Sequence, residues 1–443
     1  MENTNKNPFC RPIELKQHTP MWHFQPNEEG CCLRATEVKP KLDRYLAQKI
    51  QIKPNWKIEN QKVALDYKMT FQTIGPKSCL AIEDGRGRSA YPLFFGNMGD
   101  NVQPKKMVFY PQGIKMTLFS FHTDLLDEIE KQLDAFFACT TFGTRQDKGF
   151  GCFYPIKPNL NGKNFYDLDA PYCFDIDLSP KDKNPGTNRN SRALNLDQEF
   201  QELFKYVNYF HKMIRSGVNI PQFPKDKPPI TKHYYKSFMY HYASSLKDNE
   251  GKPMTWDKPM IRHQFELKNN VYKYICGIQD DPRGRYVSRP ELVQDYEKMK
   301  NDKRKANSIW LFRDALGLAS KQEWMSYQDI IETTSDTVDR YKSSITYRPV
   351  PMGNGRWRIY IYVSKICQEY TDAQFTIKNK PKFTQAKVLE GRKIYPLQLC
   401  DYFDFIIKNM NRILVSKGQK EEHVEKIFRN NNFKKNPNYG RQQ

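Results

Sequence analysis

The sequence predicts an α+β protein, and three stretches carry this prediction. Apolar and polar residues alternate over 63–71, as they do on a half-buried strand. Apolar residues then recur at helical spacing over 124–139, which predicts an amphipathic helix. The stretch 357–363 alternates again and follows Gly-Asn-Gly at 353–355, a sequence typical of a hairpin turn. Strands and helices in separate runs of this kind favour the α+β class over a regular α/β fold.

Length and charge indicate a multidomain chain with a polyanionic partner. The 443 residues are enough for roughly two to three domains of ordinary size. Lysine and arginine outnumber aspartate and glutamate by 71 to 50, a formal net charge of +21, and 14% of the residues are aromatic. Positive charge combined with many stacking side chains favours RNA or single-stranded DNA over a membrane surface.

Several classes of protein are disfavoured. No run of about 18 apolar residues is present, and the polar N-terminus lacks an apolar signal core, so we expect a cytoplasmic chain without a membrane segment. The ten cysteines are scattered and form no CxxC pair, which favours reduced thiols over disulfides or zinc ligands. We therefore expect no metal and no cofactor.

The first predicted domain spans residues 61–156 and follows an N-terminal extension, 1–60. It contains strand patterns, the helix 124–139, a glycine-rich loop and a closing strand at 150–154. This order fits a ferredoxin-like fold, βαββαβ. The first helix of that plan is not visible in the pattern, and we place the loop region 75–90 where it would stand.

The remainder divides into three predicted parts. Residues 157–306 read as an inserted loop and helical region, 307–425 as a second α+β domain, and 426–443 as a basic flexible tail. The insertion contains Arg283 and Arg285 next to Tyr286, which is either a solvated face or a contact for nucleic acid.

The glycine-rich loop at 143–151 reads Gly-Thr-Arg-Gln-Asp-Lys-Gly-Phe-Gly. Glycine tolerates positive φ and lets another backbone approach closely, so this loop offers bare amides, with Arg145 and Lys148, to a phosphate backbone. The alternative is a glycine turn with two solvated basic residues. The loop is not a P-loop, because it lacks the Lys-Ser/Thr ending and because the helix precedes it.

The order of helix, basic glycine loop, Gly-Phe-Gly and strand resembles the signature of the RAMP superfamily, the ferredoxin-like RNA-binding subunits of CRISPR effectors. A second similarity lies around Leu316-Gly317, Arg340 and the hairpin strand 357–363. The resemblance implies two ferredoxin-like, or RRM-like, domains with a helical insertion. It also implies a type III-like ribonucleoprotein in antiviral defence, with guide RNA, target RNA and other effector subunits as partners.

In that family the glycine loop lies against the RNA backbone, and basic residues elsewhere extend the contact. The residues expected to contact RNA are Gly143, Thr144, Arg145, Lys148, Gly149, Gly151, Arg86, Arg88, Arg283, Arg285 and Arg340.

Two functions stay open: a non-catalytic subunit that grips guide RNA, and a metal-independent endoribonuclease that processes it. The nuclease needs a general acid and base, for which His122 or His263 is available, although no spacing marks either one. Asp175 and Asp177 could hold a metal or form the solvent-facing edge of a strand. The absence of a recognisable catalytic motif, and a glycine loop in mid-chain, favour the binding subunit.

Overall fold

The structure, a computed structural model, describes residues 7–22, 33–58, 63–81, 91, 106–156, 168–179, 194–222, 230–251, 253–254, 256–265, 309–318, 321–324, 329–380, 387–414 and 422–440. The chain divides into two compact units. Unit 1 comprises Met1–Val207, Thr346–Tyr362 and Lys435–Gln443, and unit 2 comprises Asn208–Ile345 and Val363–Lys434.

The described strands are β1 (Cys10–Gln17), β2 (Met21–Trp22), β3 (Lys68–Thr73), β4 (Ser78–Ala81), β5 (Lys106–Phe109), β6 (Ile114–Phe119), β7 (Phe153–Pro155), β8 (Tyr172–Asp177), β9 (Val218–Gln222), β10 (Ile230–Tyr235), β11 (Trp310–Leu311), β12 (Lys321–Trp324), β13 (Asp329–Thr334), β14 (Ile345–Gly353), β15 (Arg356–Val363), β16 (Phe375–Lys380), β17 (Val388–Ile394) and β18 (Lys434–Lys435). The described helices are α1 (Ala35–Lys49), α2 (Thr123–Cys139), α3 (Leu196–Arg215), α4 (Phe238–Ser245), α5 (Asp257–Gln264), α6 (Gln368–Asp372), α7 (Leu399–Ile413) and α8 (Glu422–Phe428).

The first ferredoxin-like domain lies in unit 1 and runs β1-α1-β3-β6-α2-β7 along the chain. Its strands lie in the order β3-β6-β1-β7, with antiparallel pairing throughout. This is the βαββαβ arrangement with the first and third strands at the centre. One face of the sheet packs on the two helices, and the shared core includes Leu42, Ile129 and Phe136.

The predicted boundary at residue 61 is wrong, because β1 is a central strand of this sheet and pairs with both β6 and β7. The missing first helix is α1 rather than the region 75–90. Its buried residues include Val38, Leu42 and Leu46, an apolar stripe only one residue wide. The sequence predicts a helical piece only over about 42–50, because Pro40 and several charged residues precede it, and that piece lies in the predicted N-terminal extension.

The second ferredoxin-like order runs β8-α3-β14-β15-α7-β18 along the chain, and its strands lie in the order β14-β15-β8-β18. The second, third, first and fourth strands therefore follow one another, as they do in the first domain. The predicted hairpin at 353–355 is confirmed by β14 and β15. The first strand lies inside the predicted insertion and the last inside the predicted tail, so those boundaries are wrong as well. The real insertion separates α3 from β14.

In unit 1 the start of α3 packs on the hairpin. The indole nitrogen of Trp357 donates a hydrogen bond of 2.6 Å to Glu199, and the ring meets Phe200 edge to face. Phe204, one turn later, stacks on Phe150 of the glycine loop with the ring centroids 3.8 Å apart. The glycine loop therefore packs against an aromatic side chain of α3.

In unit 2 the end of α3 packs on α7, where Phe210 stacks on Phe403. Unit 2 also contains a sheet in the order β11-β17-β16-β13-β12 and the hairpin of β9 and β10. Two buried ion pairs lie beside it: Arg215 with Asp314 at 3.1 Å, and Arg313 with Asp257 at 3.0 Å. Across the described residues of both units, no helix is long and apolar enough to cross a membrane.

Candidate nucleic-acid interface

The C-terminus of α2 is held by a buried arginine. Arg348 of β14 is fully buried and donates to the carbonyl oxygens of Phe137 and Thr140, the latter at 2.9 Å. Its guanidinium also lies 5.1 Å from the centre of the Tyr154 ring. A cation at this end of a helix satisfies carbonyls that have no partner within the helix and complements the helix dipole. The end of α2, where the glycine loop begins, is therefore held in place by Arg348.

The loop takes the backbone conformations that its glycines predict. Gly143 and Gly151 have φ values of +82° and +67°. A Cβ atom on Gly151 would lie 2.0 Å from the carbonyl oxygen of Phe142, and one on Gly143 would lie 2.6 Å from that of Trp22. Glycine is thus required here because the loop lies directly against its own chain.

The amides of the three loop glycines are not bare, so they do not supply the phosphate-binding groups that the sequence predicted. Gly143 donates to the Glu37 carboxylate at 2.9 Å, and Thr144 and Gly151 donate to carbonyls of the segment around Trp22 at 2.7 and 3.0 Å. The amides of Lys148 and Gly149 close the turn onto Arg145 and Gln146. Contact between this loop and RNA stays a prediction, and its side chains would have to supply the binding groups.

Lys148 faces protein. Its side chain is 3% exposed, and its Nζ lies 3.3 Å from Asp147 Oδ2 and 5.8 Å from the centre of the Tyr347 ring. Gly149, the next residue, lies so close to Pro349 that a Cβ would be 2.7 Å from its ring. An ammonium group in this place neutralises Asp147 and is screened from a polyanion outside the loop.

Arg145 is presented differently. It adopts a left-handed backbone with φ +58°, and its guanidinium lies over the indole of Trp22 at 4.2 Å. Among the described residues its Nη1 is buried and has no hydrogen-bond partner, whereas the residue as a whole is partly exposed. Burial lowers the pKa of Arg145 to about 10, against the opposing effect of Asp147, so the group stays charged at neutral pH. A planar guanidinium fixed on an aromatic ring suits phosphate recognition.

The other predicted RNA-binding residues are spread over the chain. Thr144 uses its hydroxyl to donate to the Trp22 carbonyl at 3.0 Å. Arg340, in unit 2, has a side chain that is 94% exposed and lies 3.8 Å from Asp339. The remaining four lie outside the described residues: Arg86, Arg88, Arg283 and Arg285.

Two family models cover nearly the whole chain. Residues 10–218 match the Cmr1 N-terminal domain, and residues 234–435 match the Cmr1 C-terminal domain. The chain belongs to the Cmr1 family. It is therefore a RAMP subunit of a type III CRISPR effector, which is a complex of several subunits. No curated protein matches the chain.

The Cmr1 N-terminal match begins at residue 10, where β1 begins. Sequence reasoning missed the partners of the loop in this region, Glu37 and the segment around Trp22, because both lie more than 100 residues earlier in the chain. Arg348 left a clearer signal. It is the charged residue inside the run Tyr-Arg-Pro-Val of a predicted strand, which is typical of a buried cation with a defined partner.

The structure also gives the surroundings of some of the candidate catalytic and metal-binding residues. The Nε2 atom of His122 lies 3.6 Å from Asp66, and its side chain is 27% exposed. The side chain of His263 lies outside the described residues. Asp175 accepts two hydrogen bonds from Arg358, at 2.7 and 3.0 Å, which fits the edge of a strand. No group of three or more histidine, cysteine, aspartate or glutamate side chains in the described part of the Cmr1 chain is arranged to hold a metal.

We expect the stability of this Cmr1 subunit to fall as the pH drops below about 6.5, because of His18. Burial lowers the pKa of His18 well below its ordinary value, and the charges of Lys16 and Arg348 lower it further. Above pH 6.5 the imidazole is neutral in both states. Below pH 6.5 the unfolded chain binds a proton at His18 that the folded chain does not bind. The free energy of unfolding therefore falls by up to about 1.4 kcal/mol per pH unit.

Urea unfolding between about pH 5 and 7 measures this effect, since the carboxylates titrate mostly below that window. His18→Phe keeps a ring beside Tyr154, where the centroids are 4.4 Å apart, and should flatten the pH dependence. The partly exposed His122 supplies the control, His122→Gln. An equal slope for wild type and His18→Phe would contradict the assignment.

Proposed function

We propose that this Cmr1 subunit binds guide RNA, and its duplex with target RNA, without cleaving it. The observation that supports the proposal is the guanidinium of Arg145, fixed on Trp22 in a residue that is partly exposed, in a chain of net charge +21. Phosphate contacts made by such cations provide most of the affinity of RNA binding without sequence preference. The glycines allow the loop that carries Arg145 to pack closely against the rest of the chain. The role of Arg145 is to hold the backbone of the guide.

We expect Arg145→Ala to weaken RNA binding and to reduce the dependence of affinity on salt. Loss of one phosphate contact should lower the slope of log K against log salt by about 1. Fluorescence anisotropy with a labelled guide RNA over a range of salt concentrations measures this slope. An unchanged slope would count against the assignment of Arg145.

Two further variants make the experiment specific to the loop. Lys131→Ala removes an exposed cation that is already paired with Glu128 at 2.6 Å, so the slope should stay near that of the wild type. Lys148→Met removes the buried cation, and we expect it to lower stability and to leave the salt slope unchanged. A slope that falls for Lys148→Met instead of Arg145→Ala would reverse the roles given to these two residues.

The alternative function, metal-independent cleavage of guide RNA, has one geometric observation in its favour. His122 is partly exposed and lies near the Asp66 carboxylate, an arrangement that can orient a general base. Incubating the protein with labelled repeat RNA in the presence of a chelator separates the two functions. We expect the RNA to stay intact. Discrete products that disappear with His122→Ala would establish the endoribonuclease.

A further inference from the structure

The first ferredoxin-like sheet has one covered face and one open face. Residues that point toward the helices, such as Leu15, Met69 and Leu118, are buried. Their neighbours in the strands are mostly polar and mostly exposed. On the open face the polar residues are Glu14, Lys16, Lys68, Thr70, Gln72, Lys115 and Thr117, and Cys10, Pro12 and Phe119 lie on it as well. At β7 the same face is covered, because Tyr154, opposite Lys16, is buried. Polar side chains on one side only are expected of an antiparallel sheet that faces solvent on that side.

Three phenyl rings interrupt this polar face at one end. Phe121 is 74% exposed, the highest value for a large apolar side chain among the described residues. It meets Phe119 and Phe9 edge to face, with ring centroids 5.2 and 5.8 Å away. Phe9 is 37% exposed as well. An exposed ring that is held in place by two others is ordered without being covered, which is typical of a binding site.

The surroundings of the rings indicate the kind of ligand. In the strand register Phe119 lies between Lys68 of β3 and Cys10 of β1. Thr117 of the next row lies between Thr70 and Pro12. Cores of protein interfaces are depleted in lysine, whereas Lys68 directly adjoins the rings on the β3 side. Surfaces that bind single-stranded nucleic acid combine aromatic rings with neighbouring cations and hydrogen-bond donors.

We propose that Phe121, supported by Phe119 and Phe9, stacks on an unpaired base of single-stranded RNA while Lys68 contacts the adjacent phosphate. Glu14 and Asp66 are the acidic residues near this surface, and Lys16, Lys68 and Lys115 outnumber them. The inference rests on the proposed RNA-binding function and adds a second contact, in which bases rather than the backbone are held. This contact favours unstructured RNA over a duplex.

The test compares the full-length wild type with Phe121→Ala and Phe121→Trp by anisotropy, using an unstructured adenine-rich RNA and a matched RNA with abasic positions. Stacking of one base on an aromatic ring corresponds to a loss of roughly tenfold in affinity when the ring is removed. We expect that loss for Phe121→Ala with an unchanged salt slope, recovery with Phe121→Trp, and no further loss on abasic RNA. Tyr439→Ala, which removes an aromatic side chain that is 55% exposed elsewhere, should bind like the wild type.

The outcomes separate the two proposals. Wild-type protein that shows no salt-dependent RNA binding overturns the proposed function. Wild type that binds RNA while Phe121→Ala binds equally well overturns this inference alone. A Phe121→Ala chain that keeps its RNA affinity but no longer assembles with the other effector subunits would assign the rings to a protein partner. Because Phe121 is mostly exposed, the urea midpoint of the variants should match that of the wild type.

Discussion

Gly151→Ala is expected to lower the free energy of unfolding by roughly 3 to 5 kcal/mol, the largest effect of a single methyl group in the glycine loop. The added Cβ would lie 2.0 Å from the Phe142 carbonyl oxygen and 2.9 Å from its carbon, both of them backbone atoms that cannot rotate away. Moving apart would break the hydrogen bonds from Phe142 to Gly151 and from Gly151 to Pro20, each 3.0 Å long. Urea unfolding followed by circular dichroism gives the change.

The chain provides a matched control in Gly391, which has nearly the same φ, +66° against +67°. Apart from its two neighbours in the chain, no described residue has a heavy atom within 4 Å of the position that a methyl group would take. Gly391→Ala should show only the cost of a left-handed alanine, about 1 to 2 kcal/mol. The difference between the two losses of unfolding free energy measures the cost of the close contact between Gly151 and Phe142. Equal losses would contradict the close approach of Gly151 to Phe142.

Arg313→Met should destabilise unit 2 by roughly 3 to 5 kcal/mol, because it leaves a buried carboxylate without its charge partner. Asp257 is fully buried, and one of its oxygens accepts from both the side chain and the backbone amide of Arg313, at 3.0 and 3.2 Å. The guanidinium is itself only 4% exposed. Urea unfolding monitored by tryptophan fluorescence provides the measurement.

The double variant Asp257→Leu/Arg313→Met tests the reason for this loss. If the damage comes from an isolated buried charge, removing the carboxylate as well should recover a large part of the stability. Additive losses would mean that Arg313 acts by packing. Arg340→Ala, at an arginine that is almost fully exposed, should leave stability unchanged.

Local sequence patterns predicted the elements whose signal lies within one segment. The helix α2 begins at Thr123 and ends at Cys139, one residue from the predicted start, and β15 is a strand where one was predicted, although Tyr360 is buried together with Ile359 and Ile361. Only the second half of α1, from about Leu42, has a helical pattern in the sequence, and the prediction placed this piece in the N-terminal extension instead of the domain. The domain boundaries failed for a different reason. The first strand of each sheet pairs with strands far along the chain, and no local pattern records such pairs.

At the candidate site, too, the local features were predicted from the sequence and the long-range contacts were not. The positive φ values of the loop follow from its glycines, and the sequence predicts them correctly. Gly143 lies against the carbonyl oxygen of Trp22, 121 residues earlier, so the chain itself occupies the space that was assigned to phosphate. Burial likewise distinguishes Arg145 from Lys148, two cations that look equivalent in the sequence.

The central position of β1 determines the order in which the first domain can form during synthesis. Cys10–Gln17 leaves the ribosome well before its neighbours β6 and β7, which begin at residues 114 and 153. For most of that interval the strand has two open edges, the condition in which nascent strands pair wrongly or recruit chaperones. Fragments that end before residue 153 should therefore aggregate, whereas one that extends through β7 has every strand of the sheet.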